Sequence, residues 1–96
     1  MINEKYADYA WEQTAALLAI DSPSGFTRRA AEWVKTAFEA LGFPAKITTK
    51  GGVLADLGGE NADDGLFLEA HSDTLGAMVA QIKGSGRLRL TAGGGL

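Results

Sequence analysis

Leu66-Phe67-Leu68-Glu69-Ala70-His71-Ser72-Asp73-Thr74-Leu75-Gly76 is the stretch on which the fold turns. Its first five residues form a short, mostly apolar run between polar neighbours, the pattern of a strand covered on both faces rather than an edge strand. The run ends at His71, the only histidine in the chain. The carboxyl end of a central strand is where open α/β sheets place their ligand-binding groups. Asp73 follows two residues later, and in extended backbone residues i and i+2 project to the same side. An aspartate so placed can hold one imidazole nitrogen while the other binds a metal, an arrangement that fixes the tautomer and makes the ligand more basic. Spacing alone leaves a plainer reading open, because an isolated histidine near a strand end is more often a surface or capping residue than a ligand.

Upstream, the period is helical. Asn3 is a good N-cap, and Glu4 and Asp8 sit near the positive end of the helix dipole that follows. Tyr6, Ala10, Leu17 and Ile20 recur at helical spacing, which predicts a helix over residues 4–20. The turn cluster Asp21-Ser22-Pro23-Ser24-Gly25 ends it. A second helix is predicted from Thr27 to Leu41, with Ala30, Val34, Ala37, Phe38 and Leu41 on its apolar face and Gly42 as its C-terminal cap. Trp11, Trp33 and Phe38 read as packing residues, since aromatics at helical spacing usually lie against a sheet. Ala45 to Thr49 and Val53 to Leu57 then read as a hairpin around Lys50-Gly51-Gly52. Downstream of the central stretch, Ala77 to Ile82 and Arg87 to Thr91 form a second hairpin around Lys83-Gly84-Ser85-Gly86, with Met78 and Val79 packed inside it.

Composition excludes several classes. Apolar residues are 46% and charged residues 22% of the chain, so it is neither disordered by composition nor a membrane-spanning protein. Nine basic and twelve acidic residues give a net charge of −3, and no run of Lys or Arg marks a nucleic-acid or acidic-membrane partner. With no cysteine, disulfides and thiolate metal sites are ruled out, in keeping with a reducing compartment. Met1-Ile2-Asn3-Glu4-Lys5 lacks the basic-then-apolar pattern of a signal peptide, so a cytoplasmic setting is the default expectation. Gly51-Gly52 precedes no helix and is not a phosphate loop.

The stretch Glu69 to Val79, followed by Ile82 and Gly86-Arg87-Leu88-Arg89-Leu90, resembles the first metal-ligand segment of M42-type aminopeptidases. The shared pattern is an apolar strand, His-x-Asp, an aliphatic residue and glycine, a second apolar strand, and a Gly-x-Leu-x-aliphatic strand ending near a glycine pair. Here Gly93 and Gly94 stand in the place of that pair. Leu17-Leu18-Ala19-Ile20-Asp21-Ser22-Pro23-Ser24-Gly25 is similar to the family's first helix and Pro-Ser-Gly corner. The resemblance therefore runs from about Leu17 to Gly94. Thr74 departs from it, since many members carry an acidic residue there.

The resemblance implies an α/β fold: an incomplete three-layer α/β/α zinc-peptidase-like domain over residues 1–75. Residues 76–96 would be the first strands of an inserted, β-rich dimerisation domain, which implies a homo-oligomer. It implies two divalent cations, zinc or cobalt, that activate a shared water, with a glutamate elsewhere as general base and a peptide as substrate. By the match, His71 is a terminal metal ligand and Asp73 the catalytic-site carboxylate that orients it. Glu69 is the one further candidate ligand, with a structural role favoured. Asp63 and Asp64 read as solvated loop residues and Asp21 as a turn residue. One histidine with one or two carboxylates cannot build a two-metal site, so this stretch alone is expected to be inactive. An M20-type peptidase or deacylase shares the His-x-Asp geometry. A standalone α+β module binding a protein through an open sheet edge and a degenerate homologue that has lost catalysis stand as the other readings.

Overall fold

The computed structural model describes residues 3–93, and the second glycine of the expected pair, Gly94, lies outside them, as do Met1 and Ile2. Helix α1 spans Glu4–Leu18 and helix α2 spans Arg28–Ala40. Four strands follow: β1 Ala45–Ile47, β2 Val53–Ala55, β3 Gly76–Ile82 and β4 Leu88–Gly93. They pair as two separate antiparallel ribbons, β1 with β2 and β3 with β4. The architecture is mixed α and β, and the described residues contain two two-stranded ribbons rather than one layered sheet.

Local chemistry accounts for several of the boundaries. The Asn3 side chain accepts a hydrogen bond from the Lys5 N–H at 3.0 Å, satisfying one of the free donors at the start of α1. Helix α2 ends in a Schellman arrangement: Phe43 N–H donates to the Phe38 carbonyl at 3.1 Å and Gly42 N–H to the Glu39 carbonyl at 2.9 Å. Pro44 then forbids continuation. In the first ribbon Ala45 faces Ala55 and Ile47 faces Val53. Its turn closes through Thr48, whose N–H donates to the Gly52 carbonyl at 2.7 Å. In the second ribbon Gly76 faces Gly93 and Ile82 faces Leu88, with an irregularity between Val79 and Gln81.

Helix α2 is the packing centre. It lies against β1 and β2, and α1 touches it more lightly. Ala30 and Ala31, both on α2, are the buried apolar residues among those described. Two exposed i,i+4 pairs, Arg28 with Glu32 at 2.9 Å and Lys35 with Glu39 at 3.3 Å, decorate the outer face of α2. Such pairs contribute about 0.3–0.5 kcal/mol each. The molecule is elongated, 62 × 33 × 23 Å. No described helix is long and apolar enough to cross a membrane.

Three sequence expectations differ from the structure. The run Leu66 to Ala70 is irregular rather than a buried strand, and Leu66, Phe67 and Leu68 are 86%, 73% and 77% exposed. Its apolarity signals a need for burial, but a central strand forms only when neighbouring strands supply ladder partners on both sides, and none here does. Trp11 is 78% exposed, because α1 has no sheet beneath it, whereas Trp33 and Phe38 on α2 are half-buried. Met78 and Val79 are exposed as well, since a lone two-stranded ribbon has no interior in which to pack them.

Candidate functional site

The site is assembled where the corner between the two helices meets the segment leading into β3. Pro23 to Phe26 form a tight turn, closed by the Phe26 N–H donating to the Pro23 carbonyl at 2.8 Å. Gly25 occupies its third position with φ +87°, a left-handed conformation in which a side chain is strained. Ser24 therefore sits at the tip of the turn. The corner is pinned to the downstream segment by the Thr74 N–H, which donates to the Ser22 carbonyl at 2.8 Å, and by an isolated parallel bridge between Pro23 and Thr74. Gly76 passes so close that a Cβ there would stand 2.8 Å from Pro23 Cβ. Only glycine allows that approach without displacement.

This docking brings Ser24 to Asp73 across 49 positions of sequence: Ser24 Oγ donates to Asp73 Oδ2 at 2.7 Å. The other carboxylate oxygen, Oδ1, lies 3.0 Å from His71 Nδ1, and the Asp73 carbonyl oxygen is also 3.0 Å from that nitrogen. A backbone carbonyl can only accept, so the shared proton must reside on Nδ1. In the neutral imidazole the lone pair then belongs to Nε2, the atom left to bind a cation. The His71 side chain is 86% exposed, so Nε2 is not walled in by the protein.

The electrostatics follow from these contacts. The Asp73 carboxyl is held below its ordinary value, first by the hydrogen bond from Ser24 and then by that from His71. Both donors favour the charged form, which keeps the carboxylate an acceptor for the imidazole. Asp73 is half-exposed, so the effect is screened by solvent.

The other sequence candidates stay apart from this cluster. Glu69 lies in the exposed irregular run, and Asp63 and Asp64 lie in the exposed loop before it. Among the described residues no group of three His, Cys, Asp or Glu side chains stands close enough to hold a metal ion. A depression of 480 Å³ lies beside the corner, bordered by Ser22, Pro23, Phe26, Thr74 and Leu75, and neither His71 nor Asp73 forms its wall. Ser22 is 2% exposed, and its hydroxyl has no hydrogen-bond partner among the described residues. Ser24 is the residue that sequence reasoning left without a role. Its only signal was membership of the Pro-Ser-Gly corner, since a contact across so much sequence leaves no local periodicity.

A family model described as M42 glutamyl aminopeptidase matches residues 51–96, from the turn of the first ribbon through the His-x-Asp segment and the second ribbon. Over 79 residues the chain is 37% identical to the protein of Bacillus subtilis (strain 168) named "Putative aminopeptidase YhfE". Residues 51–96 belong to the M42 family. The similarity covers 82% of this chain but only 23% of that relative, so the chain spans less than a quarter of the curated relative's length. The residues that the family model matches hold the His71–Asp73 pair and β3–β4, and the Ser22–Phe26 corner lies upstream of them.

Proposed function

We propose that this chain supplies the first metal-ligand segment of a metal-dependent M42 aminopeptidase that removes N-terminal residues from peptides. The observation that carries this reading is the bifurcated contact of His71 Nδ1 with Asp73, which leaves Nε2 as the free lone pair. A carboxylate on the other ring nitrogen is how a metal-binding imidazole is oriented. Family membership and the aminopeptidase relative supply the reaction class.

The donor chemistry fits one position of a metal centre and no more. His71 would be one ligand, and Asp73 would orient it while accepting from Ser24. A catalytic zinc takes about three protein ligands and an open position. The remaining ligands and the general base would come from sequence outside these residues, and this stretch alone would not hydrolyse peptides. When bound, divalent cations in such a centre supply Lewis acidity and an activated water. The chain's own residues present one imidazole in a fixed tautomer and hold its proton at Nδ1. Residues 1–75 would belong to the catalytic domain and residues 76–96 to the start of an inserted β-rich domain through which subunits associate.

Paramagnetic cobalt provides the test. Sub-stoichiometric Co²⁺ added to the chain should broaden the His71 ring resonances first, and Asp73→Asn should weaken that effect by about 10–100-fold in apparent affinity. Broadening centred on Asp63 and Asp64, with His71 untouched, would sink the assignment.

A further inference from the structure

We propose that Ser24 is a positioning residue for His71, acting through Asp73: its hydroxyl fixes the carboxylate rotamer that, together with the Asp73 carbonyl, holds the imidazole proton on Nδ1. The inference rests on the assignment of His71 as the metal-presenting imidazole and adds the element that sets its orientation.

Asp73 lies outside any strand or helix, so neither a ladder nor a helical turn restrains its side chain. An unrestrained carboxylate rotates about two side-chain bonds and would offer His71 either oxygen or neither. Ser24 Oγ removes that freedom by taking Oδ2 at 2.7 Å, which leaves Oδ1 directed at Nδ1 at 3.0 Å. A hydroxyl–carboxylate bond of that length lies in the range of charge-assisted hydrogen bonds, about twice as strong as neutral ones. Ser24 itself is placed by three independent constraints. These are the tight turn closed by Phe26 N–H, the positive φ of Gly25, and the docking of Ser22 and Pro23 on Thr74 and Gly76. The corner between α1 and α2 therefore works as a rigid arm that reaches the loop bearing the imidazole. Ser22, its neighbour at one remove, contrasts with it: the Ser22 backbone carries the docking hydrogen bond while its hydroxyl meets no partner among the described residues.

His71 is the only histidine, so its two ring nitrogens can be observed without ambiguity by long-range ¹H–¹⁵N correlation. In the wild-type chain the neutral imidazole should show the Nδ1–H tautomer. Ser24→Ala should move both nitrogens toward the averaged values of exchanging tautomers, Ser24→Thr should restore the wild-type pattern, and Ser22→Ala should leave it unchanged. Backbone amides of β3 and β4 report whether the fold is intact. Should Ser24→Ala disturb them, Ser24→Cys, which keeps the volume and weakens the donor, gives the same reading with less perturbation. Retention of the wild-type tautomer in Ser24→Ala or Ser24→Cys, with β3–β4 amides in place, overturns the proposal. Asp73→Asn separates the two levels. A tautomer lost in Asp73→Asn but kept in Ser24→Ala removes the role of Ser24 and leaves that of Asp73. A tautomer kept in both assigns the proton to the Asp73 backbone carbonyl alone and removes the orienting role of the carboxylate, and with it that of Ser24.

Discussion

Gly76→Ala is the sharpest perturbation of the docked corner. The new methyl would stand 2.8 Å from Pro23 Cβ and 3.5 Å from its Cγ, inside van der Waals contact with a ring that cannot rotate away. Forcing a methyl into a filled space costs about 1–3 kcal/mol. Opposing it, replacing glycine by alanine restricts the unfolded chain and contributes about 0.4–1 kcal/mol of stability where the backbone permits. The steric cost wins across most of that range, so the corner should open more readily. Opening exposes the Thr74 N–H, which donates to Ser22 when docked. The mid-range net loss is about 1.3 kcal/mol, which at about 1.4 kcal/mol per factor of ten is roughly an 8-fold faster amide exchange at Thr74. Gly59→Ala is the control, since nothing lies within 4 Å of a Cβ there and its φ is not positive. Equal exchange at Thr74 in the two variants would refute the argument that the Pro23–Gly76 approach holds the corner down.

Other consequences follow from the same geometry. Gly25→Ala should cost about 1–2 kcal/mol through its positive φ, read as a lowered denaturant midpoint, even though no atom obstructs the new methyl. Ser22→Ala should be neutral or stabilising, because it removes a buried hydroxyl without a partner, and a clear loss of stability would reveal a bond that the geometry lacks. The folded Asp73 pKa is depressed, so its contribution is present above the ordinary value of 3.8 and is lost as the pH falls through the lower folded value. The docked Thr74 amide shift should therefore survive acidification down to the ordinary carboxylate range and disappear below it; loss at higher pH would contradict this. Leu66, Phe67 and Leu68 present an apolar run to solvent, and each such side chain gains about 1.5–3 kcal/mol when buried. Sedimentation velocity should accordingly show concentration-dependent association that Phe67→Asp reduces, and a monodisperse monomer at all concentrations would count against it.

Much of this structure is legible from local pattern. The amphipathic spacing of α2, the Gly42-Phe43-Pro44 stop and both hairpin turns are short-range signals, and the observed elements lie within about two residues of the expected ones at most ends, as is usual for such boundaries. The His71–Asp73 pair is also local, two residues apart. What pattern reading misplaced depends on partners rather than on propensity. The apolar run from Leu66 to Ala70 carries the composition of a buried strand, yet a strand exists only with neighbours to pair with. Trp11 sits at helical spacing on a face that nothing in these residues covers. Ser24 was hidden for a different reason. A side-chain hydrogen bond bridging 49 positions is set by how a turn docks, and no periodicity announces it.

The role proposed for His71 is to bind a metal on which peptide hydrolysis depends. The most direct measurement is the metal content of the polypeptide expressed from the complete gene, taken with its aminopeptidase activity, for wild type and His71→Ala. Bound divalent metal and peptide hydrolysis are expected in the wild type, with at least one equivalent of metal and nearly all activity lost in His71→Ala. Full metal content and unchanged hydrolysis in His71→Ala would contradict it.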